Sequence, residues 1–321
     1  MSTVTIISHP DYQLHLTGSE HPESPKRINA TLDGLVNAGL LVRNECLEPS
    51  PVDEKLLLLC HTDEYVQLVK NEVATLQDLG VQNACAPLST GDAMICSNSF
   101  YCALLAIGGV LLGVDSVFSA ERPNRAFCVI RPPGHHASKQ QGMGFCLFNN
   151  VGIAARYAQK NYGLKRVAII DWDVHHGNGT QRLFEEDSSV LYASIHESPL
   201  YPFTGETQAT NSERLINCPI TKGSDAPERV LHALTHFILP ALDTFKPQLL
   251  FISCGFDAHR LDPLGNLGLT DKEYSLMTEH LVNCAETHCD GRIVSALEGG
   301  YSLEALASAS AAHIEALGAK R

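Results

Sequence analysis

Apolar and polar residues follow one another in blocks along the chain. Short runs that are apolar at nearly every position recur at wide intervals, as expected of strands covered on both faces. They predict strands at Val4–Ile7, Phe127–Ile130, Val167–Ile170, Val190–Ile195, Leu249–Ile252 and Ile293–Ala296. We therefore expect a mostly parallel sheet that is buried between helices.

Longer segments with helical periodicity lie between these runs. They predict helices at Pro25–Val36, Ser99–Val114, Asn150–Gln159, Ala226–Phe245, Asp271–Ala285 and from Leu303 onward. Thr270 and Glu273 have the spacing of a capping box, and the polar segment Glu197–Arg214 is predicted to be a surface loop. Alternation of strands and helices predicts one α/β domain over residues 1–321, a three-layer αβα sandwich around a mostly parallel sheet.

Composition narrows the class of protein. The formal net charge of −13 argues against direct nucleic-acid binding, although it is compatible with a cationic substrate. The eleven cysteines contain no C-x-x-C pair and lie mostly in apolar runs, which favours a reducing cytoplasm over a disulfide framework.

The N-terminus does not resemble a signal peptide. We expect no apolar run long enough to span a membrane, and so no membrane partner.

Four polar segments each follow a predicted strand. In open α/β sheets ligands bind beyond the carboxyl ends of the strands, so these segments could converge. In the first, alternation along extended backbone sends Asp171, Asp173 and His175 to one side. In the second, Asp257 follows a strand. Carboxylate and imidazole are ligands of zinc and other divalent metals, and three protein ligands leave one position for water. Taken alone, Asp257 or an isolated D-x-D is more typical of a helix cap, and the metal-site reading depends on the combination.

The other two segments carry groups suited to acid–base chemistry. His135 and His136 can move protons near neutral pH. Gly144 and Phe145 could bring bare backbone and an aromatic wall to a narrow substrate. Tyr301 could donate its hydroxyl to an oxygen on which negative charge develops.

Together these motifs resemble those of the histone deacetylase superfamily. The likeness is carried by H-P-E-S-P-K-R, R-P-P-G-H-H, G-F-C-L-F-N-N, D-W-D-V-H-H-G-N-G, G-F-D-A-H-R-L-D-P and L-E-G-G-Y. It is nearest to class II members, the prokaryotic histone-deacetylase-like amidohydrolases and the acetylpolyamine amidohydrolases, and it runs from about residue 21 to about residue 303. The resemblance implies an arginase-like α/β sheet, a zinc ion (for which iron substitutes in some members) and structural potassium.

The resemblance also implies roles for individual residues. Those matching the metal ligands are Asp173, His175 and Asp257. Those matching catalytic groups are His135, His136, Tyr301, Asp171 and Asn178. Those matching the acyl-lysine tunnel and its surroundings are Gly144 (backbone acceptor), Phe145 and Tyr201 (walls), Leu264 (rim) and Arg27 (beside an acetate-release channel). One potassium site matches Asp171, Asp173, His175, Ser194 and Ile195, and a second matches Phe184, Asp187 and Val190.

Two positions indicate which members of the family this chain resembles most. Asn178 stands where class I enzymes carry an acid that pairs with the second histidine, and class II members have asparagine there. Leu264 stands where polyamine-selecting relatives place a glutamate. A leucine favours acetyl-lysine over acetylpolyamine.

The resemblance therefore implies an amidohydrolase that removes acetyl groups from acetyl-lysine side chains of proteins or peptides and releases acetate. The alternatives are a deacetylase of acetylpolyamines or other small acylamines, an arginase-type ureohydrolase, and a catalytically silent acyl-lysine binding module. A ureohydrolase needs more acid ligands than the chain provides. A silent module would be expected to have lost a ligand, a histidine or the tyrosine, and all of these are present.

Overall fold

A seven-stranded sheet runs through the protein. The computed structural model describes residues 4–42, 46–81, 83–206 and 213–319. The sheet contains β1 (Thr5–Ile7), β4 (Arg125–Cys128), β5 (Val167–Asp171), β6 (Val190–Glu197), β7 (Leu215–Ile220), β8 (Leu249–Cys254) and β9 (Ile293–Leu297). Its order is β1-β4-β9-β8-β5-β6-β7, and every neighbouring pair is parallel. A separate antiparallel pair consists of β2 (Cys85–Pro87) and β3 (Met94–Cys96).

Helices pack on both faces of the sheet. They are α1 (Lys26–Asn37), α2 (Asp63–Asp78), α3 (Ser99–Val117), α4 (Asn150–Tyr162), α5 (Asn178–Phe184), α6 (Ala226–Ala233), α7 (Leu239–Phe245), α8 (Asp271–His288) and α9 (Leu303–Leu317). Short 3₁₀ segments cover Pro10–Leu14 and Glu54–Leu59. One group of helices in mutual contact contains α1, α6, α7, α8 and α9, and the other contains α2, α3, α4 and α5. The predicted α/β class with a mostly parallel sheet is confirmed.

All six predicted strands are present, but the sequence pattern missed three others. The missed β7 is an edge strand that is only partly buried and contains Asn217 and Pro219, so it lacks a continuous apolar run. The short pair β2 and β3 and the helices α2 and α5 were also missed. The predicted helix over Ala226–Phe245 is interrupted by a π-helical turn at Leu234–Ile238. The predicted capping box is confirmed, since the Glu273 carboxylate accepts a hydrogen bond from the Thr270 backbone N–H at 2.9 Å. Within the predicted surface loop, residues 207–212 lie outside the described residues.

The expectation that no apolar run reaches membrane-spanning length is wrong for α3. This helix continues to Val117, three residues past its predicted end, and by length and composition it could cross a membrane. Most of it is buried inside the fold, where it contacts β1, β4, β9 and α4. This is the environment of a core helix.

Four adjacent strands direct their carboxyl ends at one place. They are β4, β9, β8 and β5, which lie side by side in that order. Each is followed by one of the four polar segments singled out in the sequence. Because parallel strands end at the same edge, these segments meet there although up to 170 residues separate Arg131 from Tyr301.

Candidate active site

Two carboxylates and one imidazole converge at the floor of this site. His175 Nδ1 lies 3.0 Å from Asp173 Oδ1 and 3.1 Å from Asp257 Oδ2. Both aspartates are fully buried and His175 is 9% exposed. The structure therefore brings the three predicted metal ligands together.

Backbone amides hold the outer oxygen of each carboxylate. The Gly299 N–H donates to Asp173 Oδ2 at 2.7 Å, and the Val174 N–H donates to Asp257 Oδ1 at 2.8 Å. The close approach of Gly299 requires glycine, because a Cβ there would lie 2.1 Å from Asp257 Oδ2. Asp173 Oδ2 and Asp257 Oδ1 are thus occupied by backbone amides, and Asp173 Oδ1 and Asp257 Oδ2 face the His175 imidazole.

The electrostatics of the three groups are tightly linked. Burial lowers the pKa of His175, but hydrogen bonds to Asp173 and Asp257 outweigh burial and raise it to about 10. Burial and the neighbouring Asp173 charge raise the pKa of Asp257 to about 7. Two buried carboxylates that contact the same imidazole nitrogen need a positive charge beside them. Either a protonated imidazole or a metal ion provides it.

The donor set fits a zinc-class ion. The three ligand atoms lie within 4.8 Å of one another. Tetrahedral zinc with bonds of ~2.0–2.1 Å separates its oxygen and nitrogen ligands by ~3.3 Å, close to the spacing found here. Since only three protein groups converge, a fourth position stays available for water or substrate.

The two adjacent histidines lie above this floor and have different partners. His135 Nδ1 lies 3.1 Å from Asp171 Oδ2, and the Tyr192 hydroxyl donates to the same oxygen at 3.1 Å. Burial lowers the pKa of His135, but the charges of Asp173 and Asp171 raise it to about 10. A charged His135 is therefore favoured by its surroundings.

His136 has the opposite tendency. Its Nδ1 lies 2.8 Å from the Asn178 side-chain oxygen, which accepts the ring N–H. Burial, and then the charges of His135 and His175, hold the pKa of His136 well below its ordinary value. Asn178 opposes this only weakly because it is neutral. The pair thus contains one imidazole that favours the protonated form, His135, and one that favours the neutral form and can accept a proton, His136.

A pocket of about 270 Å³ leads from the surface to these groups. It is lined by Asp92, His136, Gly144, Phe145, His175, Leu200, Tyr201, Leu264 and Tyr301. The Phe145 and Tyr301 rings meet edge to face with centroids 5.8 Å apart, and the Tyr201 ring stands 5.4 Å from His136. The predicted walls, backbone acceptor and rim residue therefore all line one pocket.

Gly144 is packed directly on the second histidine. A Cβ at this position would lie 2.1 Å from His136 Cδ2, and the residue has φ +55°. The next residue, Phe145, is also in the left-handed region at φ +67°. Only glycine satisfies both the close approach and the backbone conformation. The Asp92 carboxylate accepts the Gly144 N–H at 2.6 Å and the Tyr201 hydroxyl at 3.3 Å.

Arg27 lies behind the pocket rather than in its lining. It is fully buried, and its guanidinium carbon lies 5.2 Å from the Tyr301 ring centroid. It donates to the Gly300 carbonyl at 2.6 Å and to the Glu23 carboxylate at 3.0 Å. Arg27 thus supports the loop that carries Tyr301.

The two predicted potassium sets differ in their surroundings. In the first, Asp171 at the end of β5 pairs with Ser194 within β6, and both residues are buried. In the second, the Asp187 carbonyl accepts a hydrogen bond from Arg214 at 2.6 Å, and its carboxylate pairs with Arg156. Two guanidinium groups therefore lie beside the second set. Potassium at both sets stays a prediction.

Two acids that support the site were not singled out from the sequence. Asp262, 7% exposed, accepts the backbone N–H groups of Tyr301 at 2.6 Å and Ser302 at 3.0 Å through one oxygen. Its other oxygen accepts the Leu264 N–H at 3.0 Å. Glu298 accepts the N–H of His135 at 3.1 Å. Both acids lie inside motifs that carry the family resemblance, and this position could have identified them from the sequence. Asp92 lies in no such motif.

Comparison with known proteins identifies the family. The histone deacetylase domain matches residues 21–317. A probable deacetylase of Archaeoglobus fulgidus is 38% identical over 305 residues, covering 93% of this chain and 81% of that protein. The polyamine deacetylase HDAC10 of Homo sapiens is 37% identical over 92% of this chain and 44% of its own length. The crystal structure of the HDA15 HD domain superposes with a TM-score of 0.87 at 34% identity, covering 99% of this chain and 90% of that one.

These likenesses extend over nearly the whole chain, including the four loops that build the pocket. The protein therefore belongs to the histone deacetylase family and is a deacetylase, a hydrolase that acts on amide bonds.

Proposed function

We propose that this deacetylase removes acetyl groups from the side-chain amine of acetyl-lysine in proteins or peptides, using a zinc ion held by Asp173, His175 and Asp257. The observation that carries the proposal is a single pocket with His175 at its floor, an aromatic wall at Phe145 and the apolar Leu264 at its rim. Asp173 and Asp257 are buried against the His175 imidazole. The side chain of acetyl-lysine matches this arrangement, because its aliphatic part would contact the apolar rim and the aromatic wall and its acetamide would reach the floor.

The metal, when bound, supplies a Lewis acid that polarises the acetyl carbonyl and acidifies water. His136 accepts the proton of the attacking water and later returns it to the leaving amine. Its low pKa supports this role, because a general base must start without its proton. His135 keeps its proton beside Asp171 and stabilises negative charge on the reacting carbonyl oxygen.

Tyr301 donates its hydroxyl to the same oxygen as charge develops. Its loop is pinned by Asp262 and its ring is packed against Phe145, so the donor is positioned before the substrate arrives. Pre-positioned donors of this kind contribute because they need no reorganisation during the reaction.

A second candidate substrate is a small acetylated amine, including an acetylpolyamine. It is favoured by the exposed Asp92 carboxylate, which lines the pocket and could attract a second ammonium group. The polyamine deacetylases among the relatives give this alternative further support. Against it, Leu264 presents no charge at the rim.

The test is turnover by the zinc-reconstituted protein on an acetyl-lysine peptide, compared with acetylputrescine and acetylspermidine. We expect the peptide to be preferred and a chelator to abolish turnover. Preference for the polyamines would reverse the substrate assignment. Turnover of none of the three would refute the proposal.

Two variants separate charge from size at the rim. Leu264→Glu should shift the ratio of kcat/KM values toward the polyamines, whereas Leu264→Gln has nearly the same volume without the charge and should not. An equal shift in both variants would show that rim polarity, not charge, selects the substrate.

A further inference from the structure

A second group of metal-ligating side chains lies outside the pocket, where α7 meets α8. Asp243 on α7 and Cys284 and His288 on α8 each offer one ligand atom, and these atoms all lie within 4.8 Å of one another. His288 Nε2 is 2.8 Å from Asp243 Oδ1. Cys284 is 7% exposed, whereas the Asp243 side chain is 68% exposed. The cluster therefore has a buried sulfur at its base and an open side toward solvent.

We propose that Asp243, Cys284 and His288 form a peripheral binding site for a zinc-class divalent metal ion, separate from the metal of the pocket. A thiolate, an imidazole and a carboxylate are all zinc ligands, and the sulfur selects soft or borderline ions over magnesium and calcium. The fourth position would be taken by water on the exposed side.

The local geometry suits this assignment. Cys284 and His288 are four residues apart on one helix, which places both on the same face. Tetrahedral zinc requires a sulfur–nitrogen separation of ~3.6 Å and a nitrogen–oxygen separation of ~3.3 Å. The Asp243 carboxylate can move the short distance needed, since its side chain is 68% exposed.

Binding exchanges a proton for the metal. Burial raises the pKa of the Cys284 thiol to about 12, so the sulfur carries its proton before the ion arrives. One proton leaves as the bond between sulfur and metal forms, and no oxidant or reductant is involved. The bound ion would join α7 to the C-terminal turn of α8.

The remaining cysteine-containing cluster in the described ranges does not support a separate site. It consists of His135, Cys146 and Glu298, and its histidine already belongs to the pocket. The peripheral cluster shares no residue with the pocket, so its occupancy can be measured independently of activity.

Cobalt(II) provides the test, because only thiolate ligation gives an intense near-ultraviolet charge-transfer band. The proposed pocket ligands are oxygen and nitrogen, so cobalt bound there gives no such band. We would strip the protein with a chelator, add two equivalents of cobalt(II) and record the spectrum. The expected result is a thiolate band that is absent from Cys284→Ala and present in Cys60→Ala. Cys60 is a matched control because it is also 7% exposed and belongs to none of the described clusters.

Asp243→Asn provides a second variant that leaves the core untouched. It should retain the band but require at least tenfold more cobalt to reach half-saturation. Deacetylase activity should be unchanged in Asp243→Asn and Cys284→Ala. Absence of the band from the unmodified protein, its persistence in Cys284→Ala, or unchanged cobalt affinity in Asp243→Asn would overturn the proposal.

Discussion

The floor and the rim of the pocket are built in opposite ways. The floor (Asp173, His175, Asp257, His135 and His136) is almost fully buried, and each side chain has a specific polar partner. The rim (Asp92, Leu200, Tyr201 and Leu264) is half-buried or exposed. Tyr201 is tied to the rest of the rim by one hydrogen bond of 3.3 Å to Asp92.

This difference separates chemistry from selection. Groups that handle protons and metal must stay within a few tenths of an ångström of a working geometry, which requires rigid strand ends and filled hydrogen bonds. Groups that select a substrate need only shape and charge, and loops provide these at lower structural cost. Changes in the floor should therefore alter the rate far more than changes in the rim.

The largest effect is expected from Asp173→Ala. The variant removes one ligand and one of the two carboxylates that contact the His175 imidazole. Metal content, measured by elemental analysis, should fall to background, and turnover should drop by ~10³-fold or more. Asp92→Asn, at the rim, should keep its metal. A fully metallated and active Asp173→Ala protein would refute the ligand role.

Tyr301→Phe should come next. Removal of a preorganised oxyanion donor lowers kcat by ~10²–10³-fold, and the metal content should be unchanged because the hydroxyl is not among the converging ligand atoms. Steady-state kinetics of the metal-loaded variant provide the measurement. Undiminished kcat would remove Tyr301 from the mechanism.

Asp262→Asn tests whether the support of the Tyr301 loop matters as much as Tyr301 itself. An amide replaces one acceptor oxygen by a donor, so it cannot accept the N–H groups of Tyr301, Ser302 and Leu264 together. Loss of one charge-assisted hydrogen bond corresponds to ~1.5 kcal/mol, so we expect kcat to fall by ~10-fold with metal content and KM little changed. Asp271→Asn, on the surface at the start of α8, is the control. Equal kcat in both variants would assign Asp262 no positioning role.

His313 tests the layer beneath the floor. It is fully buried on α9, its ring lies 5.6 Å from that of Trp172, and burial lowers its pKa from 6.5 to about 3. Between these values the unfolded chain binds a proton that the folded protein excludes. The free energy of unfolding should therefore fall as the pH drops below about 6.5, by up to ~1.4 kcal/mol per pH unit for this group.

His313→Gln removes that titration. Urea unfolding between pH 6.5 and pH 4 should show a correspondingly smaller dependence on pH than the unmodified protein. An identical pH dependence in the two proteins would contradict the assignment of His313 as a neutral buried histidine.

The smallest effect is expected from Tyr201→Phe. It removes the hydrogen bond to Asp92 and keeps the ring that forms the wall. This hydrogen bond is long at 3.3 Å and exposed to solvent, so it contributes ~0.5 kcal/mol, the low end of the usual range. We therefore expect kcat/KM to change by no more than ~2–3-fold. A loss of 10-fold or more would show that the rim is as strictly organised as the floor.

The floor was far more predictable from sequence than the rim and its supports. Asp173 and Asp257 follow continuous apolar strands, and parallel strands must end together, so their convergence follows from the order of elements. Asp92 follows no such strand and reaches Gly144 only through tertiary packing. The edge strand β7 was missed for a related reason, because half of its residues are only partly buried and its apolar run is broken by Asn217 and Pro219. The roles of the floor residues and of Tyr301 stay predictions; the first two variants test the ligand role of Asp173 and the catalytic role of Tyr301.

The apolar helix α3 has a consequence for the making of the protein. Its 19 residues are shielded from solvent only after β1, β4 and α4 have packed against them. Until then a nascent chain exposes an apolar segment that is prone to aggregation and is long enough to cross a bilayer. Variants that slow closure of this layer should therefore reduce the yield of soluble protein even when the finished enzyme would be fully active.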